Sequence, residues 1–159
     1  MPYLEDSLGF TRDSAAKIVM LLTAVNMFGQ LSGGALADRF PKNIIASGTI
    51  LGHCIGLWIL AGAYNYPLIL LYAVIQGFAW GVRSPVITSM RGDYFGRKSF
   101  PLIMGTSQGI AMIGMVVGPV LVGYIADHYS YSIGFRIISL MTMPGIILFL
   151  CIKQPRKNW

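Results

Sequence analysis

Charged residues are scarce in this sequence. Asp, Glu, Lys and Arg make up 11% of its 159 residues and hydrophobic residues make up 55%, whereas a soluble domain carries about 25% charged residues. The mean hydropathy is accordingly positive, at +0.64. Too few charges are present to cover a surface that faces water. This scarcity excludes an ordinary soluble domain and favours a membrane protein.

The residues that metal sites and catalytic sites require are also scarce. Cys54 and Cys151 both fall inside apolar runs, in a setting that suits neither a disulfide framework nor a zinc site, and they are interpreted as reduced packing residues. The sequence contains no HExxH, no paired carboxylates inside the apolar runs and no Ser/His arrangement. No phosphate-cradling Gly-rich loop with Lys is present either. We therefore predict no enzyme activity, no metal and no cofactor.

Five apolar runs take up most of the chain. Each has about the twenty residues that a helix needs to cross a bilayer, and a polar stretch, Met1–Ser14, precedes the first. The fold class predicted is an all-α polytopic membrane helix bundle with about five transmembrane helices in a single domain, 1–159. The predicted spans are about 15–37, 44–63, 67–90, 101–126 and 133–152.

The basic residues indicate how these spans are oriented. The formal net charge is +6, but the cations stand in short loops between apolar runs, which favours the lipid bilayer and not nucleic acid as the partner. The first loop, which contains Arg39 and Lys42, is placed inside. Eight cations then lie inside and three at the outer ends, and the amino terminus lies outside. The inner set is Arg39, Lys42, Arg91, Arg97, Lys98, Lys153, Arg156 and Lys157; the outer set is Arg12, Lys17 and Arg136.

Glycines at helical spacing predict close helix packing, because membrane helices associate through small residues. In spans one to three they are interpreted as static packing positions: Gly29, Gly33, Gly48, Gly52, Gly56, Gly77 and Gly81. Span four is richer in glycine and also contains Pro119. Static packing and a bending, gate-like helix are equally compatible with that span.

Several motifs resemble the major facilitator superfamily. The run from Gly34 to Lys42 reads Gly-x-Leu-Ala-Asp-Arg-x-x-Lys and resembles the loop signature of that family, with Pro41 in place of its Gly and Asn43 in place of a cation. Span four resembles the Gly-Pro signature of the family's antiporters, with Val122 in place of a Gly. The positions that carry this second likeness are Gly105, Gly114, Gly118, Pro119 and Gly123.

Other features resemble the carboxyl-terminal half of anion carriers in that family. Ile75-Gln-Gly-Phe78 resembles the fourth-helix motif, with Ala73 in place of its Arg. Asp93-Tyr-Phe-Gly-Arg-Lys98, followed by Gly-Pro, Asp127 and Tyr131, is similar to helices ten to twelve of monocarboxylate and oxalate–formate transporters. The Gly-Pro signature alone would place the chain in the amino-terminal half, but these features favour helices eight to twelve.

That resemblance implies a twelve-helix transporter, of which five helices are only part. The expected partner is therefore the missing amino-terminal helix bundle, and the chain is interpreted as a fragment or a truncated product. The implied location is a bacterial inner (plasma) membrane. The implied function is secondary active transport of a small solute, an organic anion, by alternating access, as symport or antiport. A non-transporting membrane protein with the same fold, receptor-like or an assembly subunit, stays open as the alternative.

Polar residues inside the apolar runs are expensive at membrane depth, which makes them candidates for the substrate site. Arg83 is expected to bind the anionic group, because its guanidinium suits a carboxylate; an ion pair with a carboxylate of the missing half is the alternative. The predicted substrate-binding residues are Arg83, Gln76, Trp80, Asn26, Gln30 and Gln108. For the amides, hydrogen bonding between helices is the competing interpretation. His53 is interpreted as a packing residue, with a proton carrier as the alternative.

Residues of the first inner loop and of span four form the predicted gate. In the family that the chain resembles, this loop latches the cytoplasmic gate through its Asp, and Arg91 is the expected partner of Asp38; solvated loop charges are the alternative. The predicted gating residues are Gly34, Asp38, Arg39, Lys42, Arg91, Gly114, Gly118 and Pro119.

Overall fold

A computed structural model describes residues 10–152, apart from the side chain of Arg97. These residues form helices and no strand. The helices are α1 (Arg12–Arg39), α2 (Lys42–Ala61), α3 (Tyr66–Gly96), α4 (Lys98–His128), α5 (Tyr131–Thr142) and α6 (Pro144–Cys151). Helices α5 and α6 form a single span, so five stretches are long and apolar enough to cross a membrane. This confirms the predicted all-α bundle.

Side-chain caps fix where three of the helices begin. Thr11, Asn65 and Ser130 each accept a hydrogen bond from the backbone N–H three residues later, which satisfies a group that the first helical turn leaves unpaired. Because Thr11 is the cap, α1 already includes the last three residues of the polar stretch Met1–Ser14. The first nine residues of that stretch lie outside the described residues.

The connection between α1 and α2 is the tight turn that the sequence predicts. Only Phe40 and Pro41 separate the two helices. The connection between α3 and α4 differs from the prediction, because most of the expected inner loop is helical. Gly96 alone is non-helical there, with φ 69° and ψ 174°, a conformation that is essentially restricted to glycine. One such residue reverses the chain, so no longer loop is needed.

The last span is broken in the middle. Helix α5 ends at Thr142 and α6 begins at Pro144. Proline lacks the N–H that would continue the ladder of hydrogen bonds. A buried network holds α5 to α2: the Ser139 hydroxyl donates to the Cys54 carbonyl at 3.2 Å, and the Cys54 thiol donates to the Ser139 carbonyl at 3.5 Å. Cys54 is therefore a packing residue, as predicted, while Cys151 is exposed.

Helix α1 packs on α3 through glycines. A Cβ added at Gly29 or Gly33 would come within 2.8 Å of the α3 backbone, and one at Gly77 would lie 2.5 Å from the carbonyl oxygen of Leu22. Gly56 likewise lies against the side chain of Gln76. These glycines therefore lie at close contacts between helices, as expected. Gly48 is the exception, because no described residue lies within 4 Å of its added Cβ, so the described helices do not give it the expected packing contact.

Two apolar cores divide the bundle along its length. The core nearer the side predicted to be outside, hereafter the outer core, is formed by Ala15, Ile18, Ala63, Ile69 and Ala73. The core nearer the side predicted to be inside, hereafter the inner core, is formed by Ala37, Ala46, Val82, Val86 and Met90. Helix α4 stays largely outside both, since none of its described residues is buried. The polar residues at mid-depth lie between these two cores.

Candidate functional site

Arg83 lies near the middle of α3. It is about 26 Å along the helix from Tyr66 and about 20 Å from Gly96. Gln76 and Trp80 lie on the same helical face, at i−7 and i−3. The structure therefore brings together the three predicted substrate-binding residues of this span.

Helix α2 lies opposite this face and adds His53, which the sequence analysis assigned to packing. The rings of His53 and Trp80 meet edge-to-face, with their centroids 6.3 Å apart and an interplanar angle of 80°. A Cβ added at Gly56, one turn along α2, would lie 2.7 Å from Gln76 Oε1. The absence of a side chain at Gly56 therefore makes room for the Gln76 amide. His53, Gln76, Trp80 and Arg83 are hereafter the mid-depth cluster.

Two polar atoms in the mid-depth cluster are buried without a partner. His53 Nε2 and Gln76 Oε1 have no hydrogen bond to any residue in the described part of the chain. Leaving such a group unpaired costs about 1–3 kcal/mol. The pair marks a position at which a proton, a water molecule or a ligand group would be stabilised.

Arg83 also lacks an ion-pair partner among residues 10–152. The four carboxylates in that range lie near the ends of the spans: Asp13, Asp38, Asp93 and Asp127. Asp13 pairs with Lys17 and Asp93 with Lys42. Arg83 as a residue is exposed on the described five-span body, so an anion can reach its side chain.

The remaining predicted binding residues lie elsewhere. Gln30 Nε2 donates to Asn26 Oδ1 at 2.7 Å, within α1, so these two amides bond to each other and, among residues 10–152, not to another helix. Their backbone lies against Gly81, where an added Cβ would collide with the Asn26 carbonyl oxygen. Gln108 on α4 is exposed and forms no hydrogen bond within the described residues. The predicted binding residues thus fall into the mid-depth cluster, the Asn26–Gln30 pair and the isolated Gln108.

An apolar cavity of about 720 Å³ occupies the outer half of the bundle. Residues from α1 to α5 line it, among them Ile18, Leu22, Leu60, Tyr72, Pro119 and Phe135. Tyr72 is one turn outward from Gln76, so the cavity begins beside the mid-depth cluster. Its volume falls in the range of small-molecule sites, about 300–1,000 Å³.

An ion pair that the sequence analysis did not predict lies at the end of the bundle that carries the α1–α2 turn. Lys42 Nζ donates to Asp93 Oδ2 at 2.5 Å and to Ser89 Oγ at 2.6 Å. The Lys42 side chain is 13% exposed and that of Asp93 is 36% exposed. This inner cluster of Lys42, Ser89 and Asp93 ties the α1–α2 turn to the inner end of α3. Because Asp93 stands 51 positions from Lys42, sequence spacing alone could not pair them.

The other predicted gating residues do not join the inner cluster. Asp38 and Arg39 are exposed, and Asp38 forms no ion pair within residues 10–152. Arg91, its expected partner, donates to Met104 Sδ at 3.2 Å and so bridges α3 and α4. Cβ atoms added at Gly34 and Gly114 would meet no atom within 4 Å in the part of the chain that the structure describes. Gly118 and Pro119 line the apolar cavity.

Comparison with known proteins places these features in a family context. The sequence profile described as Major Facilitator Superfamily matches residues 1–158. A multidrug resistance protein B homolog of Mycobacterium tuberculosis is 30% identical over 130 residues, which cover 80% of this chain and 23% of the relative. The quinolone resistance protein NorA of Staphylococcus aureus is 24% identical over 157 residues, which cover 98% of this chain and 40% of the relative. The chain therefore spans well under half the length of these relatives.

Proposed function

Because this chain belongs to the major facilitator superfamily, we propose that it forms part of a secondary active transporter that moves a small organic anion by alternating access. Membership confirms the resemblance to that family, and with it the prediction that the chain is not an enzyme. The narrower likeness to monocarboxylate and oxalate–formate carriers stays a prediction. The protein is an integral, multi-pass membrane protein, and its bacterial relatives support placement in a bacterial plasma membrane.

The unpaired guanidinium of Arg83 carries the proposal of an anionic substrate. At mid-depth a cation without a counterion is expensive, and an alkyl stem cannot span the roughly 20 Å to the inner end of α3. A bound carboxylate offsets that cost with two parallel hydrogen bonds to the planar fork. In the proposal Arg83 holds the acidic group, while Trp80 and Gln76 contact the body of the substrate.

The names of the relatives suggest which anion to test. Quinolones carry a carboxylate on a planar aromatic ring system. Such a molecule matches the order of groups along α3, with a guanidinium at Arg83, an indole at Trp80 and an amide at Gln76. Tyr72 and the apolar cavity follow further outward. We therefore choose a quinolone as the probe for this site.

Alternating access requires the inner end to open and close, and the inner cluster lies at that point. We propose that breaking the Lys42–Asp93 contact accompanies opening towards the inside. Gly34, Asp38, Arg39 and Arg91 surround the same end of the bundle, and Gly114, Gly118 and Pro119 allow α4 to bend. In this proposal Asp38 acts through its exposed charge and does not pair with Arg91.

The test compares variants of Arg83 in the full-length gene product reconstituted into vesicles. Arg83→Lys keeps the charge but loses the two-pronged geometry, so quinolone transport is expected to fall about tenfold or more, with normal insertion. Arg136→Lys is the matched control, because Arg136 stacks on Trp58 at 5.6 Å, away from the mid-depth cluster. It should leave transport unchanged.

Arg83→Gln separates binding from structure. Normal transport by that variant, with only a lower folded fraction, would show that Arg83 is a structural ion-pair partner and would refute the anion site. Binding of the quinolone without movement across the membrane would instead match a non-transporting member of the family.

A further inference from the structure

Arg136 occupies an unusual position for a cation of this chain. Most of the basic residues were predicted to lie at the opposite ends of the spans, whereas Arg136 lies in the second turn of α5, about 8 Å along the helix from Tyr131. It is exposed on the described part of the bundle. So close to the end of a span, a side chain lies near the boundary between the hydrocarbon and the lipid headgroups. The function proposed above gives this residue no task.

A residue of a second helix holds the Arg136 side chain. Its guanidinium lies over the ring of Trp58 on α2, 5.6 Å from the ring centroid. Trp58 is about 5 Å along α2 from Ala61, so α2 and α5 bring the two side chains together near the same end of the bundle. A cation over the face of an indole is attracted by the negative charge of the ring face. Indole rings are also enriched at the level of the headgroups.

The Arg136–Trp58 pair has hydrogen-bond donors without acceptors. Arg136 forms no ion pair and no hydrogen bond with any residue in the range 10–152. The indole N–H of Trp58 has no acceptor among these residues either. A guanidinium presents a planar fork of N–H donors that suits a carboxylate or a phosphate. A phosphate offers several acceptor oxygens, so it would satisfy donors of both side chains.

Exposed apolar residues continue from this pair towards the middle of the bundle. On α2, Ile55 and Leu51 lie on the same helical face as Trp58, at i−3 and i−7. On α5, Leu140 lies at i+4 from Arg136 and is also exposed on the described surface. Because α2 runs towards this end of the bundle and α5 runs away from it, both rows extend from the pair in the same direction. This order of groups matches a phospholipid, in which the phosphate stands at the end of the acyl chains.

We propose that Arg136 and Trp58 bind the phosphate of an anionic phospholipid in the leaflet at this end of the bundle, while its acyl chains lie on the exposed rows of α2 and α5. The guanidinium donates two parallel hydrogen bonds to phosphate oxygens. No described carboxylate pairs with Arg136, so a headgroup with a net negative charge is favoured over a zwitterionic one. Binding of this lipid is independent of the anion site proposed at Arg83.

Native mass spectrometry of the purified, delipidated full-length gene product measures the binding of single lipids. The probes are phosphatidylglycerol and phosphatidylcholine with identical acyl chains, and glycerol phosphate, which carries the anion without the chains. We expect the first phosphatidylglycerol to bind the wild type about tenfold more tightly than phosphatidylcholine, since hydrogen bonds between charged groups are strong. Glycerol phosphate should bind more weakly than phosphatidylglycerol, because it lacks the apolar contacts. Equally tight binding of glycerol phosphate would show a site for free anions and would overturn the lipid site.

Two substitutions that each remove one positive charge at the same end of the bundle provide the matched comparison. Arg136→Gln should raise the dissociation constant of the first phosphatidylglycerol about tenfold, to that of phosphatidylcholine. Lys17→Gln is the control, because Lys17 already pairs with Asp13 at 2.7 Å on α1, and it should leave that constant unchanged. An equal loss in both variants would show attraction to the net charge alone and would overturn the proposed site.

A second measurement locates the lipid on the wild type, without any substitution. A phosphatidylglycerol with a photoreactive group at the top of one acyl chain should form adducts with the segments of α2 and α5 that contain Trp58 and Arg136. Adducts confined to other segments would overturn the proposed site, and this is also the result expected if the missing helices cover this face. Equal binding of the two lipids by the wild type, or wild-type binding by Arg136→Gln, would overturn it as well. If Arg136→Gln fails to fold, the adducts of the wild type decide the matter.

Discussion

At the level of single residues, the Lys42–Asp93 contact explains how a cation can occupy the first position of α2. The amino-terminal end of a helix carries a partial positive charge, which disfavours Lys there. The Asp93 carboxylate offsets this unfavourable charge, because its Oδ2 lies 2.5 Å from Lys42 Nζ. The Lys42 side chain is only 13% exposed. The pair is therefore screened by solvent less than an ordinary surface salt bridge, although Asp93 itself is partly exposed.

A double-mutant cycle with Lys42→Gln and Asp93→Asn should measure a coupling free energy of about 0.5–2 kcal/mol. The same cycle on the exposed i,i+4 pair of Asp13 and Lys17 should give a smaller coupling, because solvent screens that pair. Unfolding in mixed detergent micelles, followed by tryptophan fluorescence, provides both values. Equal coupling in the two pairs would show that partial burial adds nothing at the inner cluster.

At the level of helices, the α1–α3 contact depends on glycines on both sides. An Ala side chain at Gly81 would collide with the backbone of Asn26 and lie 2.8 Å from the Cα of Gly29. Backbone atoms cannot rotate away as a flexible side chain can. We expect Gly81→Ala to force the two helices apart and to destabilise the fold by about 1–3 kcal/mol.

Gly48→Ala is the matched control for that prediction. Its added methyl group meets no described residue within 4 Å, and alanine favours the helix over glycine by up to about 1 kcal/mol. Its stability should equal or exceed that of the wild type in the same unfolding assay. A Gly81→Ala protein as stable as Gly48→Ala would contradict the close approach of α1 and α3.

At the level of the whole molecule, the orientation in the bilayer can be tested by cysteine labelling. The assay requires a Cys151→Ser background, because Cys151 is exposed while Cys54 is buried. Tyr64 and Phe40 are exposed residues at opposite ends of α2. A membrane-impermeant thiol reagent should label Tyr64→Cys in intact cells, and Phe40→Cys only after permeabilisation. The reverse pattern would place the inner cluster on the outside.

Much of this molecule could be predicted without coordinates, because the signals concerned are local. Run length and hydropathy predicted five spans. The short polar segment around Pro41 predicted a tight turn, and the spacing of Gln76, Trp80 and Arg83 placed them on one helical face. The prediction of a longer loop after Arg91 was wrong, also for a local reason. A single glycine, Gly96 at φ 69°, makes the turn between α3 and α4.

The sequence by itself determined the membrane class, the helices, their family and the polar face of α3, since these depend on composition and on spacing along one helix. Tertiary structure decided which residues of different helices meet. It paired Lys42 with Asp93 in place of Asp38 with Arg91, and it set His53 against Trp80. It also left the glycines of α4 unpacked by any described residue. Small residues let helices approach at several positions and rotations, so contacts between helices are fixed only when the whole bundle is assembled.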